Sequence, residues 1–217
     1  MTNGDNRSYR IAQLQVQRRP IKTGRAPMRT YDPAPLVPVT SIQVDVRGVH
    51  GVTADGEVIL DVHHQDHPDT RDAKGRAGIL FIGTGDYAAL RERYGAHVTD
   101  GIAGETILLD APEGLAGGGL PETATVTTHD GSVELRGIRV AAPCVEFSRF
   151  CLGHPPSPVV DDTLKATLED LDGGSRGYRA IAAGLAPSRW VTSSHCDRRL
   201  DRARVRASGG EVGRAKE

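Results

Sequence analysis

Short apolar runs separated by glycines and prolines are the feature that most constrains how this chain can fold. The sequence has 26 glycines and 13 prolines among 217 residues. Because Gly and Pro end helices and strands and build tight turns, this pattern favours a turn-rich β or mixed architecture over a helical bundle. A chain of this length can still bury a substantial core.

Several segments have the pattern of strands. Ile42, Val44 and Val46 alternate with polar residues, as in a half-buried strand. Gly137 lies where the parity of the apolar positions changes, which indicates a β-bulge. Further strands are predicted at 58–62, 77–83, 104–111, 122–131 and 132–142.

Two segments have helical spacing. Tyr87, Leu90 and Tyr94 predict a helix that ends at Gly95, with Thr84 or Asp86 as its cap. A second helix is predicted in 158–173, with Asp161 or Asp162 capping its start and an apolar stripe of Val160, Leu164, Leu168 and Leu171.

The periodic segments define a central domain, predicted at 36–184. Residues 1–35 are interpreted as a flexible basic leader, and residues 185–217 as an irregular basic tail. Residues 1–40 hold seven Lys or Arg against two acids, whereas the acids prevail in the middle of the chain. An acidic middle argues against a nucleic-acid-binding domain; the basic ends are either solvated tails or contacts for an anionic partner.

The beginning of the sequence has no apolar segment typical of a secretory signal, and no run is long enough for a membrane span. The three cysteines are an odd number, which fits a reducing compartment better than a disulfide framework. We therefore expect a cytoplasmic protein without a membrane contact.

Cys144 follows Pro143 at the end of a predicted strand, a position where reactive groups are often presented. Arg136, Arg139 and Arg149 are near in sequence, and a neighbouring guanidinium would lower the pKa of the thiol. The alternative is a buried, inert cysteine that fills space in the core. Both interpretations remain open from the spacing alone.

A histidine-rich segment, "DVHHQDHPDTRDAKGR", begins at residue 61. Its imidazoles and basic residues, which include His63, His64 and Arg76, suit contact with an anion or a cofactor. His63 and His67 could bind a metal if they shared a helix face, but Pro68 argues against a helix. A plain polar loop is the third interpretation.

Three stretches together resemble the MOSC domain, named after the C-terminal part of molybdenum cofactor sulfurase. They are "VHHQDH", "GIAGETI" and "RVAAPCVEF", which occur here in the order of the family's markers. The later "GSRGYRAIAAG" resembles another segment of the family. The resemblance covers roughly 36–184. The family's closing strand is absent from the pattern, and Thr106 replaces its usual Asn.

The resemblance implies a mainly β fold with a few helices (α+β), in which a strongly bent sheet closes into a barrel with peripheral helices. It implies that Cys144 ligates molybdenum or carries sulfur as a persulfide. A molybdenum cofactor (molybdopterin) would lie beside His63, His64, Gly104, Glu105 and Thr106. Arg76, and also Arg136 and Arg139 from the bulge argument, are predicted anchors for its anionic groups.

Three functional hypotheses follow. The first is a sulfur transferase or a molybdenum-dependent oxidoreductase that reduces N-oxygenated compounds, and the family is also associated with pyridoxal phosphate binding. Because no iron–sulfur or nucleotide motif is present in the sequence, a separate electron-transfer or sulfur-donor protein would be needed. The second is a non-catalytic domain that binds a small anionic molecule, with Cys144 merely packed. The third is a metal-dependent hydrolase built on the histidine cluster.

Overall fold

The structure, a computed structural model, describes residues 7–70, 78–128, 131–183, 189–192 and 204–207. These residues form strands and three helices, α1 (Thr84–Tyr94), α2 (Val145–Leu152) and α3 (Asp162–Asp170). The strands are β1 (Ser8–Gln17), β2 (Lys22–Thr23), β3 (Thr30–Tyr31), β4 (Leu36–Val39), β5 (Ser41–Asp45), β6 (Gly48–Val52), β7 (Val58–Leu60), β8 (Ile79–Gly83), β9 (Ile107–Asp110), β10 (Thr123–Thr128), β11 (Gly131–Val140), β12 (Tyr178–Ala182), β13 (Arg189–Thr192) and β14 (Arg204–Ala207).

The largest sheet has eight strands in the order β14-β10-β11-β12-β8-β9-β1-β4. β8 and β9 pair in parallel, and the other pairs of this sheet are antiparallel. β14 and β4 share one edge of β1, because β14 pairs with Ser8–Arg10 and β4 pairs with Leu14–Gln17. A second sheet contains β13, β5, β6 and β7, and a third contains β2 and β3.

The predicted fold class is wrong. The chain is a mixed α+β protein whose strands are divided among several sheets, instead of a mainly β chain that closes into one MOSC-type barrel. The alternation of single strands predicts strands correctly but does not say which strands pair. Here β5, β6, β7 and β13 pair with one another, separately from the large sheet.

The predicted leader contains a strand of the core. β1 lies within residues 1–35, and its Ile11, Leu14 and Val16 are buried. A register shift in its pairing with β9 occurs between Ile11 and Gln13. The apolar positions change parity at this irregularity, which is why the segment has no sustained period in sequence.

The predicted tail also contributes strands. β13 pairs with β5, and β14 pairs with β10 and β1. These two strands supply pairing partners where the sequence has no recognisable closing strand. They are short and rich in arginine, which hides them from a search for apolar alternation.

Other local predictions are confirmed. α1 ends at Gly95, the side chain of Asp161 caps α3 by accepting from the Leu164 amide, and β11 changes register around Gly137. Val160, however, is exposed and does not belong to the buried face of α3. The sequence does not predict α2, whose eight residues follow Cys144 directly.

Two apolar clusters form the core. One contains Ile11, Ile42 and Leu135, and the other contains Tyr87 and Phe147. β8 lies between the two clusters, because Phe81 belongs to the first and Ile82 to the second. Burial on both faces explains why β8 is a continuous apolar run. No helix in the described residues combines the length and apolarity needed to cross a bilayer.

Asp86 ties α1 to the loop that follows β9. Its carboxylate accepts from the amides of Gly83, Leu115 and Ala116, each at 3.0 Å, and the side chain is buried. Hydrogen bonds to a charged acceptor are stronger than neutral ones, and buried amides without a partner are costly.

Asp86→Ala should therefore lower the free energy of unfolding by about 3–5 kcal/mol, because it removes the acceptor and leaves buried amides unpaired. Chemical denaturation monitored by circular dichroism measures this loss. Glu92→Ala, an exposed carboxylate on the same helix, is the matched control and should change stability by less than about 0.5 kcal/mol. Equal effects of the two substitutions would contradict the role given to Asp86.

Candidate functional site

An open cleft lies where β1, β8 and β12 meet the loops around them. Its apolar wall comes from Ile21, Val62, Leu80 and Ala103. Its polar lining consists of Gln17, Lys22, His63, Asp69, Thr106, Arg176 and Arg179. Three cations against one carboxylate make the cleft suited to an anionic ligand.

Pairing within the large sheet places the lining residues. Arg179 of β12 is opposite Leu80 of β8, so both lie in the cleft. Thr106 precedes β9 and is held against β8, because its amide donates to the Leu80 carbonyl at 2.8 Å and its Oγ1 accepts from the Leu80 amide at 3.3 Å. These residues lie near the ends of paired strands.

Arg176 is the most constrained cation of the cleft. Only 4% of the residue is exposed, and its guanidinium lies 5.2 Å from the centre of the Phe147 ring. Nη2 donates to the Ala103 carbonyl at 3.4 Å, whereas the buried Nε has no hydrogen-bond partner among the described residues. A buried guanidinium donor without an acceptor is costly, and an anion in the cleft would supply the acceptor.

Gly104 allows the backbone to approach the cleft closely. Its φ of +79° is in the left-handed region, and a Cβ there would come within 2.9 Å of Ile21 and 3.0 Å of the Gln17 amide. Gln17 Nε2 donates to the Gly104 carbonyl at 3.2 Å. The close approach that the glycine spacing indicates is therefore present.

Glu105 does not line the cleft as described; its side chain is buried against Tyr87. The Tyr87 hydroxyl donates to Oε2 at 2.7 Å and accepts from the Ala103 amide at 2.9 Å. Burial is the main cause that raises the pKa of Glu105 to about 7. Glu105 thus stabilises the Ala103–Gly104 turn indirectly, through the Tyr87 hydroxyl.

Cys144 is the N-cap of α2 and is half-buried beside the second apolar cluster. Its side chain lies beside the carboxylate of Glu146 and contributes to the pKa shift of that group. Glu146 in turn lies 3.6 Å from Lys22 and 3.9 Å from Arg29. Burial raises the pKa of Glu146, but the backbone amide, Lys22, the thiol and Arg29 outweigh it, so the pKa lies below its usual value. Lys22 also lines the cleft, so it is shared between the cleft and the surroundings of Glu146.

The arginines predicted to surround Cys144 have other contacts. Arg136 is exposed and forms a bidentate pair with Glu134, and Arg139 is exposed and bonds the Gly137 carbonyl at 3.3 Å. Arg149 is buried and donates to the Val159 carbonyl at 2.7 Å. The structure therefore does not bring Arg136 and Arg139 to the described lining of the cleft.

The histidine segment forms successive turns, so its histidines do not share a helix face. His63 lines the cleft, and its Nδ1 lies 2.9 Å from Asp61 Oδ1. His64 is buried on another side, and His67 Nε2 lies 3.1 Å from the Arg18 carbonyl. Arg76 lies outside the described residues.

Sequence reasoning missed the cations that line the cleft, namely Lys22, Arg176 and Arg179. Arg176 and Arg179 belong to "GSRGYRA", a segment whose resemblance to the family does not by itself identify a ligand contact. Lys22 lies within the supposed leader, so nothing in the sequence pattern pointed to it.

The fold is similar to two solved structures. The YuaD protein from Bacillus subtilis matches with a TM-score of 0.53 and 11% identity, over 94% of this chain and 99% of that one. A hypothetical protein matches with a TM-score of 0.53 and 8% identity, over 94% and 70%. No family model and no curated protein matches the chain. At these identities the similarity concerns the fold alone.

The burial of Glu105 predicts a pH dependence of stability. The pKa of Glu105 rises from 4.5 to about 7 on folding, so the folded state holds a proton that the unfolded state has lost between these values. The contribution of Glu105 to stability is therefore greatest below pH 4.5 and is lost as the pH rises towards 7. Glu105→Gln, which imitates the protonated side chain, should relieve roughly 3 kcal/mol of this loss at pH 7.5.

Denaturation of both proteins at pH 5 and pH 7.5 measures this difference, with the exposed Glu122→Gln as the control. The stability gap between Glu105→Gln and wild type should widen in favour of the variant as pH increases. Parallel pH profiles would mean that Glu105 does not titrate in this range.

Proposed function

We propose that the cleft binds an anionic small molecule, and that this molecule is a molybdenum–pterin cofactor held in the manner of MOSC-type proteins. The observation that carries the proposal is the buried, unpartnered Nε of Arg176 in a cleft whose other cations are Lys22 and Arg179. The family and the cofactor come from the sequence resemblance, and the charge of the ligand comes from the cleft.

The residues of the cleft fit the chemistry of such a cofactor. A molybdopterin carries a phosphate, and a guanidinium fork matches the geometry of phosphate oxygens. Arg176 and Arg179 would hold this group. The amide of Gln17 and the hydroxyl of Thr106 are hydrogen-bonding groups for the polar edge of a heterocycle. The apolar residues Ile21, Val62 and Leu80 would exclude water from its ring.

Cys144 would provide the sulfur in this proposal. The Glu146 carboxylate beside it can accept a hydrogen bond from the thiol. Lys22 and Arg29 offset the charge of Glu146, and Lys22 reaches the cleft as well. The bound metal would supply the chemistry of sulfur or oxygen transfer.

The proposed activity is sulfur transfer to a metal, or reduction of N-oxygenated compounds with electrons from a separate protein. The sequence holds no nucleotide fingerprint or iron–sulfur cysteine cluster to deliver electrons itself. A cytoplasmic location is proposed with it, since such thiol chemistry needs a reducing compartment.

A second candidate is a non-catalytic domain that binds a small anion. The observation that favours it is the position of Cys144, which is half-buried and absent from the described lining of the cleft. Here the cleft cations would act alone and the thiol would be part of the packing.

Arg176→Gln should reduce retained cofactor at least tenfold, because it removes the buried cation of the cleft. The measurement is the molybdenum and pterin content of protein purified from a molybdenum-replete host. Arg136→Gln, which removes an exposed arginine paired with Glu134, is the matched control and should retain the wild-type content. Wild-type protein that carries neither pterin nor molybdenum would contradict the cofactor assignment.

Cys144→Ala should abolish persulfide and lower the molybdenum content while the pterin stays bound. Cys151→Ala is the control, because burial raises the pKa of Cys151 to about 12 and leaves it an unreactive thiol. Mass spectrometry of the persulfide and metal analysis give the result. If the Cys144 variant matches wild-type protein that carries cofactor, the second candidate is favoured and the role of Cys144 is wrong.

A further inference from the structure

Asp45, His50 and His64 form a cluster separate from the cleft. Each offers one ligand atom, and these atoms lie within 4.8 Å of one another. His64 Nε2 lies 3.7 Å from Asp45 Oδ1, and the His50 and His64 rings are 4.7 Å apart at an angle of 62°. Ligand atoms around a tetrahedral zinc ion are about 3.4 Å apart, so small side-chain movements would bring these three together.

Two polar atoms of the cluster have no partner in the described structure. His64 Nε2 and His50 Nδ1 are both buried without a hydrogen bond. His64 is only 1% exposed, so water does not compensate its ring. Unpaired buried polar atoms are costly, and two of them on facing rings point to a ligand site.

From this cluster we infer a binding site for a first-row divalent cation of the zinc type, held by Asp45, His50 and His64. Imidazole nitrogens with one carboxylate are the ligands that such cations prefer, whereas Mg²⁺ and Ca²⁺ prefer oxygen ligands. Three protein ligands leave a coordination position for water. The site is independent of the proposed cofactor, and it does not use the His63–His67 pair considered from the sequence.

The surroundings of His64 provide an outer shell. Asp66 Oδ2 lies 4.0 Å from His64 Nδ1 and 2.6 Å from Arg47 Nη1. Without a metal, the Asp66 amide donates to Nδ1 at 3.1 Å, so the neutral ring carries its proton on Nε2. A cation at Nε2 displaces that proton, and the ring changes tautomer so that Nδ1–H donates to the Asp66 carboxylate, an arrangement common at metal-bound histidines.

The β5–β6 hairpin and the turns after β7 bring the three ligands together. Asp45 ends β5, His50 lies in β6, and His64 follows β7 in the turn segment. Gly48 makes the approach possible, because a Cβ at this residue would lie 2.7 Å from the His64 Cα. A cation here would join the β5–β6 hairpin to the loop whose other face lines the cleft through His63.

Cobalt titration of the full chain tests the site. Co²⁺ should bind one equivalent with visible d–d absorption, and Zn²⁺ should displace it. Asp45→Asn and His50→Gln, which preserve side-chain volume, should each weaken binding at least tenfold. His97→Gln, a change at an exposed histidine elsewhere, is the matched control and should bind like wild type. Circular dichroism establishes that each variant is folded.

Three outcomes would overturn the inference: no Co²⁺ binding at millimolar concentration, equal loss in His97→Gln, or loss in His63→Gln with retention in His50→Gln. Arg176→Gln should bind Co²⁺ normally. Loss of cofactor without loss of Co²⁺ binding would therefore concern only the cleft, and the reverse result would concern only this site.

Discussion

The hydrogen bonds between β1 and the turns before β9 are the constraint on which the rest of the structure depends. Gln15 and Gln17 donate their side-chain amides to the carbonyls of Gly101 and Gly104, at 2.7 Å and 3.2 Å. Both glycines have positive φ, and a Cβ at either would come within 3.0 Å of a neighbouring side chain. Because the two glutamines are buried, the turns must keep this conformation to satisfy them. Gln17 and Gly104 line the cleft, so these hydrogen bonds shape its wall.

Burial of charge then determines the character of the site. Arg176 donates to the Ala103 carbonyl and packs against the Phe147 ring, and both contacts keep its side chain buried. Because its Nε has no hydrogen-bond partner among the described residues, the cleft favours a ligand that carries a hydrogen-bond acceptor. On the other side of the loop, His64 presents a second buried, unpartnered nitrogen. Neighbouring residues His63 and His64 thus lie in two separate places, one in the lining of the cleft and one in the cluster with Asp45 and His50.

Cys144 shows why a reactive residue has to be judged with its neighbours. The sequence suggests arginines around the sulfur, whereas the structure surrounds it with Glu146, which is itself paired with Lys22 and Arg29. The positive charges of Lys22 and Arg29 are present, but they pair with the Glu146 carboxylate. The immediate neighbours of Cys144 are therefore set by tertiary contacts, and not by the arginines near it in sequence.

The sequence by itself determined local structure: the helix that ends at Gly95, the Asp161 cap, the bulge at Gly137, and the glycine turn at Gly104. These features depend on residues close in sequence, whose φ preference or capping chemistry acts locally. The tertiary structure alone decided that the strands divide among several sheets, that residues 8–17 and 204–207 join the large sheet, and that Lys22, Arg176 and Arg179 meet in one cleft. Strand pairing and charge clustering are contacts between distant segments, and a periodic pattern records which face of a strand is buried but not which partner covers it.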